Sequence, residues 1–103
     1  MTDIAIVQAS FGEPGEAALV GRKLLEERLA ACVSLTDVTS IYRWEDVIRE
    51  AAETVLTVKT TIELATQAGA RIAQLHSYDL PVVEHWPVAV DGPVAKWVRD
   101  ATG

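Results

Sequence analysis

The donor inventory for soft metal chemistry is short: two histidines, His76 and His85, and one cysteine, Cys32, in 103 residues. Imidazole and thiolate suit copper and zinc. A closed structural zinc site needs four such donors, so one copy of the chain cannot build it. Neither C-x-x-C nor H-x-x-x-H spacing occurs. Cys32 lies between Ala31 and Val33, the setting of a small core residue rather than a reactive thiol. His85, between Glu84 and Trp86, has no second ligand near it in the chain and reads as a surface or interface residue.

A second group of candidates is aromatic. Tyr42, Trp44, Tyr78, Trp86 and Trp97 suit core and interface packing, where large rings dominate the energetics. A small-molecule pocket, if one forms, is expected in a cleft between copies that holds Tyr42, Trp44, Lys59 and Tyr78. Lys59 has a competing structural role as an ion-pair partner of Glu53 or of a neighbouring copy's carboxylate. Enzyme chemistry finds little support, because no G-x-S-x-G or Walker motif is present. A Ser–His pair, whose members need not be close in the chain, is the catalytic arrangement that spacing leaves open.

A net charge of −6 argues against nucleic-acid binding, which relies on clustered Lys and Arg against phosphates. The same acidity suits contact with cations, and it is also ordinary solubility. No apolar run reaches the roughly 20 residues of a membrane-spanning helix. Met1-Thr2-Asp3-Ile4 does not begin as a secretory signal, and a lone cysteine forms no internal disulfide. A cytoplasmic protein is the expectation.

The elements that must position these side chains follow from periodicity. Ile4 to Val7 is a β-branched run that ends at Ser10 before Gly12, Pro14 and Gly15, hence a buried strand and a loop. Ala17, Val20 or Gly21, Leu24 or Leu25, and Leu29 recur at helical spacing from Glu16 onward. Cys32 to Trp44 and Glu53 to Thr60 are rich in Val, Thr and aromatics and read as strands, with Glu45-Asp46 as the turn. Arg49 to Ala52 is open between helix and strand. A second helix over Thr61 to His76 is expected to bury Ile62, Ala65, Ala68 or Gly69, Ile72 and Leu75, with Gly69 at a close approach to the sheet. Val82 to Pro87 reads as a last strand. Asp91-Gly92-Pro93 opens a terminal helix with Val94, Trp97, Val98 and Ala101 on one side. This order, one domain over residues 1–103, is the α+β split β-α-β arrangement of a ferredoxin-like βαββαβ fold, with a short C-terminal helix added.

One strand is too long for that body. From Val33 to Trp44 the chain extends about 40 Å at roughly 3.4 Å per residue, whereas a domain of this size has a diameter of about 34 Å. The hairpin must overhang. Its bare edges and its Ile41, Tyr42 and Trp44 side chains call for pairing with further copies in a closed ring.

Several blocks resemble the CutA family of divalent-cation tolerance proteins. They are Glu27-Arg28-Leu29-Ala30-Ala31-Cys32-Val33, Thr39-Ser40-Ile41-Tyr42-Arg43-Trp44-Glu45, Leu56 with Lys59-Thr60-Thr61, His76-Ser77-Tyr78-Asp79-Leu80-Pro81, and Trp97. The resemblance implies a homotrimer with a long protruding hairpin, similar in architecture to the PII-type signalling proteins. It also implies a role in tolerance of copper and other divalent metals. The copper ligands proposed in the family fall here on Ala9 and Leu75, leaving His76 as the candidate metal ligand. The competing role for His76 is a helix-terminal residue bonded to carbonyls.

The chain departs from the family at Asp46, where Gly is usual. It is one residue shorter over Leu35 to Val38, so the strand bulge there must differ or be absent. At Val82 an acidic residue is missing, and Glu84, on the same strand face, is its candidate substitute in the cleft. Acylphosphatases share the size and fold, but their Arg-bearing phosphate loop has no counterpart in Ala9 to Pro14. Two readings follow: a trimeric metal-tolerance protein with weak or intersubunit cation sites, and a PII-like trimeric platform that binds a small ligand or partner in its clefts.

Overall fold

A computed structural model of the protein describes residues 2–103. Its elements run β1 (Thr2–Phe11), α1 (Pro14–Glu26), β2 (Cys32–Trp44), β3 (Val47–Thr60), α2 (Ala65–Leu75), β4 (Val83–Val90) and α3 (Gly92–Thr102). The strands form one antiparallel sheet in the order β2-β3-β1-β4, the ferredoxin-like arrangement expected from the sequence.

Strand alternation sorts the side chains into two layers. Ala5, Val7, Ala9 and Phe11 of β1, with Leu56 and Val58 of β3, point toward α1 and α2 and make the main core with Val20, Leu24, Ala68 and Ile72. Each fully buried side chain of the size of Leu24 or Ile72 contributes about 1.5–3 kcal/mol. Ile4 points the other way and meets Ala95 and Val98 of α3, so the terminal helix covers one end of the opposite face. α3 leaves Val94 and Trp97 exposed, contrary to the expected stripe. Gly69 approaches the sheet as expected, since a Cβ there would lie 3.4 Å from Val83. Gly21 is closer still, with Val33 at 3.0 Å and Leu56 at 3.1 Å.

Helix α1 ends three residues before Leu29, although its periodicity runs on to that position. Arg28 takes a left-handed φ of 60°, and Leu29 N–H returns to the Leu24 carbonyl at 2.9 Å. This Schellman closure reverses the chain yet keeps Leu29 buried. Arg71 of α2 then clamps Glu27 with two 2.8 Å bonds and holds its carboxyl below the usual carboxylate range. Helix α2 starts at Ala65 rather than Thr61, because Thr61 to Leu64 forms a capping turn in which the Thr61 hydroxyl accepts Leu64 N–H, and Ile62 stays exposed.

Residues 49–52 are strand, fixed by pairing with β2. The β2–β3 register runs from Cys32↔Lys59 to Trp44↔Val47 without interruption, so the bulge is absent among the described residues. Glu45 and Asp46 both carry positive φ, 51° and 62°, the two-residue hairpin turn that favours Gly.

β1 stops pairing with β3 at Phe11↔Thr54. Beyond it, the seven β2–β3 pairs from Val38↔Glu53 to Trp44↔Val47 stand as a two-stranded ribbon. Seven residues of strand extend roughly 24 Å, and the molecule is 46 Å in its longest dimension against 26 and 20 Å in the others. The ribbon exposes apolar side chains on both faces: Ile41 and Ile48 on one, beside Arg43 and Glu50, and Tyr42, Trp44 and Val47 on the other, beside Arg49. No helix is long and apolar enough to cross a membrane among the described residues.

Candidate functional site

A groove of about 480 Å³ forms where the ribbon leaves the body. Ser40, Tyr42 and Trp44 of β2 and Glu53 of β3 share one face of the ribbon by alternation, and Ser10 continues that face on β1. The opposite wall is the segment between α2 and β4, which supplies Tyr78, Leu80 and Val82. A second hollow of about 430 Å³ lies against the same Tyr42, Trp44 and Tyr78 and adds Arg49 and Asp79.

Tyr78 joins the two walls. Its hydroxyl donates to Glu53 at 2.7 Å, passing the end of β1 at Gly12, where a Cβ would lie 3.2 Å from the phenol oxygen. Burial and the hydrogen bond to the Glu53 carboxylate push the phenol up to about 12. A group whose folded value is raised stabilises the fold fully below its unfolded value and loses that contribution through its folded value. Unfolding free energy from urea titrations should therefore decline between about pH 10 and pH 12. Tyr78→Phe should remove this part of the decline, and an unchanged pH profile in the variant would separate Tyr78 from it.

Behind Tyr78 lies His76, whose side chain has no exposed surface. Phe11 stacks on its ring at 4.1 Å and 11°, and the Tyr78 ring tilts against it at 4.7 Å. Its Nε2 lies 2.8 Å from the Ser10 carbonyl, and its Nδ1 accepts Tyr78 N–H at 3.1 Å. Glu16 of α1 approaches Nδ1 at 4.0 Å, but its two oxygens accept the Ser77 N–H and hydroxyl at 2.8 Å each. His76 thus sits at the helix terminus bonded to a carbonyl, with both ring nitrogens engaged.

Within one copy, and not in the cleft between copies expected from the sequence, the structure brings Tyr42, Trp44 and Tyr78 together and separates Lys59 and Glu84 from them. Lys59 shares the sheet face with Glu53 but lies six residues along β3, about 20 Å away, in a row with Cys32, Ile6 and Trp86. The expected Lys59–Glu53 ion pair is therefore absent among the described residues, and Glu53 serves Tyr78 instead. Glu84 pairs across from Gln8 and accepts from its amide at 3.4 Å, outside the groove. His85 is exposed on β4. Glu53 and Ser10 escaped the sequence reading as site residues. Glu53 lies 25 residues from Tyr78, and no local pattern links them.

No group of three or more His, Cys, Asp or Glu side chains is placed to hold a metal ion among the described residues. Among the described residues, the donors of one copy do not fit a resident transition-metal site.

Comparison with known proteins bears on all of this. The chain matches the family described as CutA1 divalent ion tolerance protein over residues 5–101. It is 38% identical over 89 residues to the divalent-cation tolerance protein CutA of Thermus thermophilus, covering 84% of this chain and 86% of that protein. It is 35% identical over 98 residues to that of Pyrococcus horikoshii, covering 94% and 96%. The chain spans 56% of the length of the Danio rerio homologue that it matches at 36% identity. Among solved structures, CutA1 of Ehrlichia chaffeensis superposes with a TM-score of 0.92 at 30% identity, covering 100% of this chain and 98% of that one. CutA1 of Pyrococcus horikoshii gives 0.91 at 33%, covering 96% and 98%. With an overhanging ribbon on a ferredoxin-like sheet and the family's pattern running through nearly every element, the chain belongs to the CutA1 divalent ion tolerance family.

Proposed function

We propose that this protein acts in divalent-cation tolerance as a cytoplasmic assembly of three copies, binding copper or other divalent cations weakly at positions shared between copies, without catalysing a reaction. The observation that carries the reading is the ribbon, which leaves large apolar side chains exposed on both faces in one copy. A two-stranded ribbon is marginal alone in water, and burying it against sister copies removes that cost. β2 and β4 are opposite edges of the sheet, so the edge of one copy can meet the other edge of the next. Such a head-to-tail contact closes into a ring when the rotation permits. Three is the number that the family resemblance implies.

Shared sites are favoured over sites within one copy because no single copy gathers three donors among the described residues. Family membership supports the cation role, and the net charge of −6 is compatible with it.

Light scattering at micromolar concentration should give three times the 11.2 kDa of one chain. Calorimetric titration with Cu²⁺ and Zn²⁺ should give weak binding to that assembly. A monomeric mass, or tight one-to-one binding by separated chains, would refute the reading.

The groove favours a second role, as a PII-like platform for a small ligand or partner, because its volume lies in the range of ligand pockets. A metal-free assembly that retains an organic ligand through purification would select it.

A further inference from the structure

We propose that His76 is a closed strut and not a cation ligand: its ring fixes the backbone of Tyr78 so that the phenol lands on Glu53, and this builds one wall of the groove. Metal coordination uses an in-plane nitrogen lone pair. In a neutral imidazole one nitrogen carries the proton and the other the lone pair. Here Nδ1 spends its lone pair on Tyr78 N–H, so the proton is on Nε2 and goes to the Ser10 carbonyl.

The ring also has no open approach. Phe11 covers one face and Tyr78 leans on the ring, and no part of the side chain reaches solvent. Turning it outward would strand two backbone groups, Tyr78 N–H and the Ser10 carbonyl, without partners. Glu16, the carboxylate near Nδ1, is held by Ser77 through both of its oxygens. The cation sites proposed above are therefore built without His76.

The same bonds give the ring a positioning role. Tyr78 N–H is fixed from one side by Nδ1, while the Tyr78 hydroxyl is fixed from the other by Glu53. Between them the phenyl group spans from the end of α2 to β3 and lines the groove.

Nitrogen-15 NMR of the assembled, unmutated protein tests the first half. The His76 ring should show the Nε2-protonated neutral tautomer, and equimolar Zn²⁺ should leave both of its ring resonances in place. A zinc-dependent shift at His76, or a proton on Nδ1, would overturn the strut.

Carbon-13 labelling of the two tyrosines at Cζ tests the second half. In His76→Ala, Tyr78 ionisation should fall from about 12 toward the usual 10. His76→Asn keeps an acceptor for Tyr78 N–H and should hold ionisation nearer the unmutated value. An unmoved Tyr78 in a folded His76→Ala protein, judged by circular dichroism and mass, would also overturn the proposal. If that variant does not fold, His76→Asn decides the second half: a Tyr78 ionisation there that falls to the usual 10 would overturn the positioning role.

Discussion

Ile41→Asp combined with Ile48→Asp is expected to turn the proposed assembly into single chains of 11.2 kDa. The two isoleucines share one face of the ribbon and are 67% and 66% exposed in one copy. They add nothing to the core of their own chain, so aspartate there leaves the globule folded. Against a sister copy each side chain is worth about 2 kcal/mol of burial. Losing both removes roughly 4 kcal/mol per interface, about a thousandfold in the dissociation constant. Buried carboxylates facing an apolar surface add to the loss. Light scattering across a concentration series reads the result, and a trimeric mass in the double variant would show that the ribbon is not the contact.

Phe11→Ala lowers the unfolding free energy by about 3–5 kcal/mol, a large share of the 5–15 kcal/mol typical of a domain. Phe11 is fully buried at the end of β1 and is the largest side chain so enclosed. Its removal leaves a cavity and also strips the stacking surface from His76. The effect should therefore reach the groove: with the imidazole loosened, Tyr78 is less firmly held on Glu53. Urea unfolding measures the stability, and Leu19→Ala, at a position 64% exposed on α1, is the control expected to stay within about 0.5 kcal/mol. Equal stability of the two variants would mean that the Phe11 site collapses without loss.

The strands and helices were legible because their apolar residues repeat at two or at three to four. The core faces of α1 and α2 follow that rule at Ala17, Val20, Leu24, Ala68 and Ile72. The overhang was legible from strand length alone. Helix ends were less so: Leu29 keeps the helical period, but a left-handed Arg28 has already turned the chain. Residues 49–52 carry helix-forming Glu and Ala, and only pairing with β2 makes them strand.

The site was half legible. Tyr42, Trp44 and Tyr78 could be grouped as aromatics, and they do meet. Lys59 and Glu84 could not be placed, because sharing a sheet face says nothing of distance along the strand. Glu53 became visible only when the fold set it opposite Tyr78. His76 had two readings in sequence, and the contacts of its two ring nitrogens with the Ser10 carbonyl and Tyr78 N–H exist only in three dimensions.

A chain that leaves so much apolar ribbon uncovered couples its own durability to its abundance. Mass action then governs melting: dilution lowers the midpoint, and crowded expression raises it. In the proposed assembly of three, newly made copies are most vulnerable to proteases before they have met two sisters, and supply of the chain then sets how long each molecule lasts.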